Sequence, residues 1–469
     1  MGNKKNEQPQ LMQVLGLGTA ILLVAGNMIG SGVFKKISPM AASLHDDKLI
    51  LWAWIGAGII SMLGALSFAS LASITKEAGG QFQYFKNAYG DFWGFLFGWS
   101  FFTVISTASI ASISYVFAES FASFFKIPHY FSNIPTNGIY ILFDNLTIKL
   151  IAIITLILLT LYNIRGVKAG GWMNNIVTGA KILGILSIIF IGLNYSGVGS
   201  MAPSNGNSIS DTSPMDIFRI SAFFTAMLGA FWAYDGWVNI TNMASEFKNP
   251  TKTVPKAIII GTALVMILYF FVNYAYLNVM TPDQFADIST QKGSIAAVEV
   301  ASVALGYTGM VLISALIMVS TFGATQGSTM SAARVYYQMA REGYFFKSFG
   351  KVHQKFRTPY FSLTGQMIWA SLLIMSGTFD QLTDMLIFAA FIFYGLGAVA
   401  VIKLKIQKRI KITYGYPYVQ LLFLIFCIII VFNAIYSRPM ESLIGLGLIL
   451  TGIPFFYYFR KRSGLNKKN

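Results

Sequence analysis

The amino-acid sequence predicts an all-α polytopic membrane protein with about 12 transmembrane helices. Three observations predict it. Only 11% of the 469 residues are charged while 55% are hydrophobic, apolar runs of membrane-crossing length recur along nearly the whole chain, and the basic residues sort by side. A soluble chain of this length needs far more charge to cover its surface. The net charge of +16 would suggest a nucleic-acid partner for a soluble protein, but its placement here points to a lipid bilayer instead.

Reading apolar windows gives spans near 14–34, 50–74, 92–123, 148–164, 171–193, 218–244, 256–279, 308–332, 361–377, 382–402, 418–436 and 441–458. The first is full length and carries no small-residue cleavage pattern, so it is expected to remain in the mature protein. The single cysteine, Cys427, lies in the apolar run from Leu421 to Phe432, which leaves no intramolecular disulfide to form. With the N-terminus placed in the cytoplasm, Lys and Arg favour that side by about three to one. Both termini are then cytoplasmic, which requires an even span count and an integral cell-membrane location, a bacterial inner or plasma membrane being the expected one. The stretch from Asn194 to Asp216 is rich in Gly, Ser, Asn and Asp and reads as an irregular external connector. Thr281 to Val300 mixes acidic and apolar residues, a pattern that fits a short helix over the external vestibule.

Two spans are interrupted where a helix should be most continuous. Gly26-Asn27-Met28-Ile29-Gly30-Ser31-Gly32 puts three closely spaced glycines in span one, each costing about 1 kcal/mol against alanine in a helix interior. A packing face of small residues is one explanation. Unwinding is the other, and in lipid it survives only beside protein, water or a ligand. In span six, Phe231-Trp232-Ala233-Tyr234-Asp235-Gly236-Trp237 sets an acid and a glycine among aromatics. An ionisable group there is costly and faces a cavity or a helix partner. Spans one and six hold corresponding places in two halves of five, 14–193 and 218–402, followed by two extra spans over 418–458 and flanked by tails 1–10 and 459–469. Matched interruptions point to an inverted-repeat transporter with its site at the repeat interface and both helices unwound at midplane. Amides freed at a half-helix N-terminus bind a carboxylate, and freed carbonyls at a half-helix C-terminus receive an ammonium, so a zwitterion fits both.

Lys181 lies in span five, about ten residues or 15 Å along the helix from Gly171 and hence near the bilayer centre. An ammonium there pairs with free carbonyls, gives up its proton, or snorkels to an interface. An enzyme would need a cluster of His, Asp, Glu or Cys, and the three histidines, His45, His129 and His353, fall in or near loops. No catalytic residue, metal or cofactor is expected.

The residues resemble the amino acid, polyamine and organocation (APC) superfamily, and within it the L-type amino acid transporter family with its bacterial serine/threonine exchangers. The resemblance is carried by Gly26 to Phe34, Glu77-Ala78-Gly79-Gly80-Gln81-Phe82-Gln83-Tyr84-Phe85, Phe97-Gly98-Trp99, Ala233 to Trp237, Glu246 to Pro250, Val254 to Ile258, Ala340-Arg341-Glu342-Gly343 and Thr358-Pro359. It implies a leucine-transporter-like fold of two inverted five-helix repeats plus two C-terminal helices, working by alternating access as a sodium-independent exchanger of small neutral amino acids. A proton-coupled or cationic amino acid or polyamine symporter on the same fold is the alternative. In similar proteins the substrate carboxylate meets positions matching Ile29, Gly30, Ser31 and Gly32. The amino group meets carbonyls near Met28, Phe231, Trp232 and Tyr234, with Trp232 as the occluding aromatic. Lys181 matches the lysine that replaces a sodium ion, with Ser320 and Thr321 as candidate partners. Asp235 is expected to orient the broken helix beside Ala233 and Tyr234. Animal relatives join a glycoprotein through an external cysteine; this chain has none evident, so no covalent partner subunit is expected.

Overall fold

The computed structural model describes residues 15–74, 79–128, 142–165, 170–197, 217–291 and 293–462. The external connector expected over 194–216 lies outside these residues after its first four positions, as do the tail 1–10, His129 and Glu77-Ala78; of the tail expected over 459–469, residues 459–462 instead end the last helix and the rest lies outside.

The described chain is helical, with a lone parallel bridge between Leu15 and Phe247. Span one divides into α1 (Leu17–Met28), α2 (Gly32–Lys35) and α3 (Ile37–Leu44). Then follow α4 (Asp47–Ala72), α5 (Gln81–Tyr89), α6 (Asp91–Ser100), a π-helical turn (Phe101–Ile105), α7 (Ser106–Phe124), α8 (Leu146–Ile164) and α9 (Gly170–Leu193). The second half holds α10 (Ile217–Tyr234), a 3-10 segment (Asn239–Glu246), α11 (Pro250–Val279), α12 (Pro282–Thr290), α13 (Ala296–Arg341), α14 (Tyr360–Ser376) and α15 (Phe379–Ile406). The chain closes with α16 (Tyr418–Ser437), α17 (Pro439–Leu450) and α18 (Gly452–Arg462). Among the described residues nine helical segments are long and apolar enough to cross a membrane, and α9, α10 and α14 fall at the other three expected spans.

Several boundaries differ from expectation for visible reasons. α11 starts six residues before the expected 256 because Pro250 sits in its first turn, where the missing N–H costs nothing. The helix expected over 281–300 is α12, opened by a reciprocal capping box between Thr281 and Gln284 and packed on α3. Span eight is longer than 308–332 because its helix begins at Ala296 and bends at Gly306, whose φ of 63° only glycine adopts readily. α5 was not anticipated at all; its sequence, QFQYFKNAY, is too polar to register as a span.

The π turn at Phe101–Ile105 interrupts the α6–α7 span beside the central cavity. Carbonyls there find partners outside the helix: Trp369 Nε1 donates to Thr103 O at 2.8 Å and Tyr336 OH to Phe101 O at 3.3 Å. Cys427 is packed rather than lipid-facing, at 2% exposure on α16, where its Cβ stands against Gly395.

Candidate functional site

The helix of span one stops at Met28. Ile29 leaves helical geometry (ψ 82°), Gly30 N bonds back to Met28 O at 2.8 Å, and the helix resumes at Gly32. α2 then runs through Lys36, still right-handed, into α3. The Gly32 amide has no acceptor within the helix while Phe34 N donates back to Ser31 O at 3.3 Å, and Ser31 Oγ, wholly buried, has no partner among the described residues. Span six stops at Tyr234, turns over 235–238 with Gly236 at φ 109°, and continues as a 3-10 segment. The two breaks touch. A Cβ on Gly32 would overlap the Ala233 main chain, and one on Gly236 would stand 2.8 Å from Asn27 O, so each break owes its approach to the other's glycine.

Two side chains pin these breaks. Lys181 of α9 is 2% exposed and donates from Nζ to Gly26 O at 2.9 Å and Ile29 O at 3.0 Å. Snorkelling is thereby ruled out for this geometry: the ammonium replaces the partners that unwinding removed. Ser320 and Thr321 are both buried on α13, but Thr321 Oγ1 donates to Ile317 O at 2.6 Å and Ser320 Oγ is without a partner among the described residues. Tyr269 of α11 places its hydroxyl 2.8 Å from Met28 O and 3.1 Å from Ala233 O, bridging the ends of both half-helices. Its ring packs edge-on to Trp54 and beside Tyr234.

A small cavity lies between the breaks, lined by Asn27, Met28, Gly30, Ser31, Gly32 and Trp232 with Ser109, Ile113, Asp235, Gly236, Asn239 and Ser328. A second adjoins it through Ser109, Asp235, Asn239 and Ser328 and reaches Gln81 at the start of α5. Asp235 stands on the wall of both, its Oδ1 accepting the Tyr394 hydroxyl at 2.6 Å. Of the anticipated site residues, Met28, Gly30, Ser31, Gly32, Trp232 and Asp235 line the first cavity. Ile29 instead gives its carbonyl to Lys181, Phe231 packs on Phe391 at 4.6 Å, Ala233 meets Gly32, and Tyr234 turns toward Trp54.

Contacts cross the bundle at both ends. At the α12 end, Lys35 grips both Glu119 oxygens at 2.7 and 2.6 Å, and Lys36 donates to Asp380 at 2.6 Å and Thr383 at 2.8 Å. Each ammonium also stands 4.6 Å from the Phe379 ring, which lies edge-on to Trp232 at 6.3 Å and so roofs the cavity. At the α5 end, Leu15 N donates to Glu246 O and Lys248 N to Leu15 O, tying the start of α1 to the end of the 3-10 segment. Arg334 holds Glu246 at 2.7 Å, and Glu342 receives Gln83, Lys86 and, at 2.8 Å, Gln338. The motifs around Gln81 and Glu342, far apart in sequence, thus meet at this closure.

Sequence reasoning missed Tyr269, Tyr394, Gln81 and the lysine–carboxylate pairs. Glu119, 5% exposed in the middle of an apolar run, carried the same signal that singled out Asp235, and the Lys35-Lys36 doublet at the end of a broken span was its visible counterpart. The tyrosines gave none, because a phenol within an apolar run is ordinary.

A polar cavity inside a helical membrane bundle, faced by two broken helices and flanked by ionic and main-chain contacts at either end, fits a secondary transporter. The family model described as Amino acid permease matches residues 15–457, and the chain belongs to that family. It is therefore an integral membrane amino acid transporter and not an enzyme. It is 30% identical over 463 residues to the Serine/threonine exchanger SteT of Bacillus subtilis (strain 168), covering 97% of this chain and 99% of that protein. Similarity extends at 29% identity over 455 residues to the b(0,+)-type amino acid transporter 1 of Mus musculus, covering 96% and 88% of the two chains. The Large neutral amino acids transporter small subunit 2 of Mus musculus is also 29% identical over 455 residues, covering 95% and 81%.

Proposed function

We propose that this protein exchanges small neutral L-amino acids of the serine, threonine or alanine type by alternating access, without sodium. The observation that carries the reading is the Lys181 ammonium bound to Gly26 O and Ile29 O. Carbonyls bared by a helix break need a cation, and a lysine fixed among them supplies the charge and repels a metal ion from the same place. The substrate carboxylate sits at the Gly30–Gly32 turn, where α2 begins and Ser31 offers a hydroxyl without a partner among the described residues. The ammonium faces the ends of α1 and α10. Met28 O already accepts Gly30 N and the Tyr269 hydroxyl, so carbonyls of the α10 end carry more of that contact than Met28 does. Trp232, whose Nε1 has no partner among the described residues, closes over the substrate.

In this reading the α5 end is cytoplasmic, as are both termini, and 14–193 and 218–402 form the inverted repeats. No disulfide-linked subunit is needed, since the chain's one cysteine is buried in α16. The resemblance to SteT supports serine and threonine as substrates. Asp235 on the cavity wall favours the second reading, proton-coupled or cationic transport. Uptake of labelled serine into proteoliposomes separates them. Exchange requires internal amino acid and ignores both sodium and an imposed proton gradient, whereas uptake driven by the gradient into empty vesicles would overturn exchange.

A further inference from the structure

Helix α15 runs out at the α5 end of the bundle in a segment dense with positive charge. From Lys403 to Lys411 the sequence reads KLKIQKRIK, five cations in nine residues, and no Asp or Glu lies between Asp384 and Glu441. Other cations at this end are paired: Arg334 holds Glu246, and Lys86 holds Glu342 and Asp91. Among the described residues no ion pair reaches the five. The C-terminus of α15 compensates them only in part, because its dipole is worth about half a charge.

The segment is nonetheless firmly placed. Ile410 is buried, Arg409 donates from Nη1 to Asn87 O at 2.8 Å, and the Lys403 ammonium lies 5.0 Å from the Tyr89 ring, so the segment rests on the end of α5. Lys405 donates from Nζ to Lys411 O at 3.3 Å, which brings the two ends of the cluster together, while Lys408 and Lys411 are exposed. The neighbours of these cations identify the ligand. Ile406, where α15 ends, is 71% exposed, and Tyr418, where α16 begins, is 80% exposed; the outer face of α16 continues with exposed Leu421, Leu422 and Ile425. Trp93, also exposed, stands 6.2 Å from Tyr89. Aromatic rings and cations at the edge of an apolar face mark the level of lipid headgroups. Cations clustered there attract a phosphate that is tied to acyl chains. An acidic protein would supply the charge but not the apolar continuation that α16 offers.

We propose that the corner where α15 ends against α5 is a binding site for the headgroup of an anionic phospholipid, its phosphate taken by Lys405, Lys408 and Lys411 and its chains laid along α16. Arg409 stays on α5, so the lipid braces the helix that carries Gln83 and Lys86 to Glu342.

The test is thermal unfolding of the purified full chain in a neutral detergent with added dioleoylphosphatidylglycerol, dioleoylphosphatidylcholine or glycerol 3-phosphate. Phosphatidylglycerol is expected to raise the melting temperature above its value in phosphatidylcholine, by a margin that shrinks in high salt, and glycerol 3-phosphate to leave it unchanged. Each lysine beside a charged headgroup is worth about fivefold in affinity, so the triple variant Lys405→Gln, Lys408→Gln, Lys411→Gln is expected to need at least about tenfold more phosphatidylglycerol for half the shift. Its counterpart Lys347→Gln, Lys351→Gln, Lys355→Gln removes the same charge from exposed positions and is expected to keep the wild-type midpoint. Each shift is taken against phosphatidylcholine in the same variant, so a change in basal stability does not enter. Equal melting temperatures in the two lipids overturn the proposal, as does an unchanged midpoint in the triple variant. An equal loss in the counterpart also overturns it, since diffuse charge would then attract the lipid, and a shift by glycerol 3-phosphate as large as the lipid's would assign the cations to a free phosphate.

Discussion

Lys181→Ala removes the cation that, among the described residues, the structure places against the break in span one. Two bonds are lost, 2.9 Å to Gly26 O and 3.0 Å to Ile29 O, both from a side chain 2% exposed. Hydrogen bonds to a charged group contribute about 1.5–3 kcal/mol each, about 3–6 together, and the carbonyls left behind have no other donor within the break. Alanine also escapes the cost of burying an ammonium, which offsets part of the loss, so about 3 kcal/mol is the working figure. At 1.4 kcal/mol per decade that is about a hundredfold fall in serine exchange per folded transporter. Lys126→Ala is the control, because Lys126 is exposed and its described contact is with the Tyr307 ring at 5.0 Å. Both variants are reconstituted and labelled serine uptake is normalised to monodisperse protein. Equal uptake by the two would refute the assignment of Lys181 to the break.

Tyr269→Phe keeps the ring packing against Trp54 and Tyr234 and deletes only the hydroxyl shared by Met28 O and Ala233 O. A loss of about 1–2 kcal/mol is expected, read as roughly a tenfold rise in KM at nearly constant maximal rate; an unchanged KM denies it a part in holding the breaks. Gly32→Ala is expected to lower thermal stability more than Gly30→Ala, since a Cβ at 32 meets the Ala233 backbone while one at 30 finds only ordinary contacts at 3.9 Å. Equal melting temperatures would contradict the close approach of the breaks. Gly30→Leu should fold but give no serine-induced thermal stabilisation, because its side chain enters the carboxylate niche. Asp380→Asn weakens the bond to Lys36 by about 1 kcal/mol after solvent screening and should raise labelling of Ser31→Cys by a membrane-impermeant thiol reagent severalfold. Cys427 is too buried to confuse the signal, and labelling that stays at the wild-type level means this pair does not hold the α12 end shut.

What the sequence made legible was whatever costs free energy in lipid. Glycines at 26, 30 and 32, Asp235 and Lys181 are each unfavourable in an apolar helix, and the structure gathers all of them within one region. What stayed hidden was the partner side. Tyr269 and Tyr394 lie in helices whose apolar pattern they hardly disturb, and their hydroxyls gain meaning only from the carbonyls and carboxylate that tertiary packing brings near. Gln81 sits at the start of an amphipathic helix on a connector, where a polar residue looks like surface, yet it is buried on the wall of the second cavity. Phe231 and Tyr234 were expected at the substrate through their carbonyls, on the strength of the resemblance, and their side chains pack elsewhere, Phe231 against Phe391 and Tyr234 against Trp54, as 3.6 residues per turn requires. Glu119 was readable in principle, being an acid in an apolar run, but its lysine comes from a span distant in sequence.

The account turns on two facing helix breaks that hold opposite ends of one amino acid. Its most direct test is to measure how well 3-hydroxypropionate, which lacks the amine, and ethanolamine, which lacks the carboxylate, displace labelled serine from the purified wild-type protein. If both breaks bind, each half-molecule is at least about a hundredfold weaker than serine. Displacement by either one at serine's own concentration would mean that one end of the substrate is not held, and the pairing of the two breaks would lose its purpose.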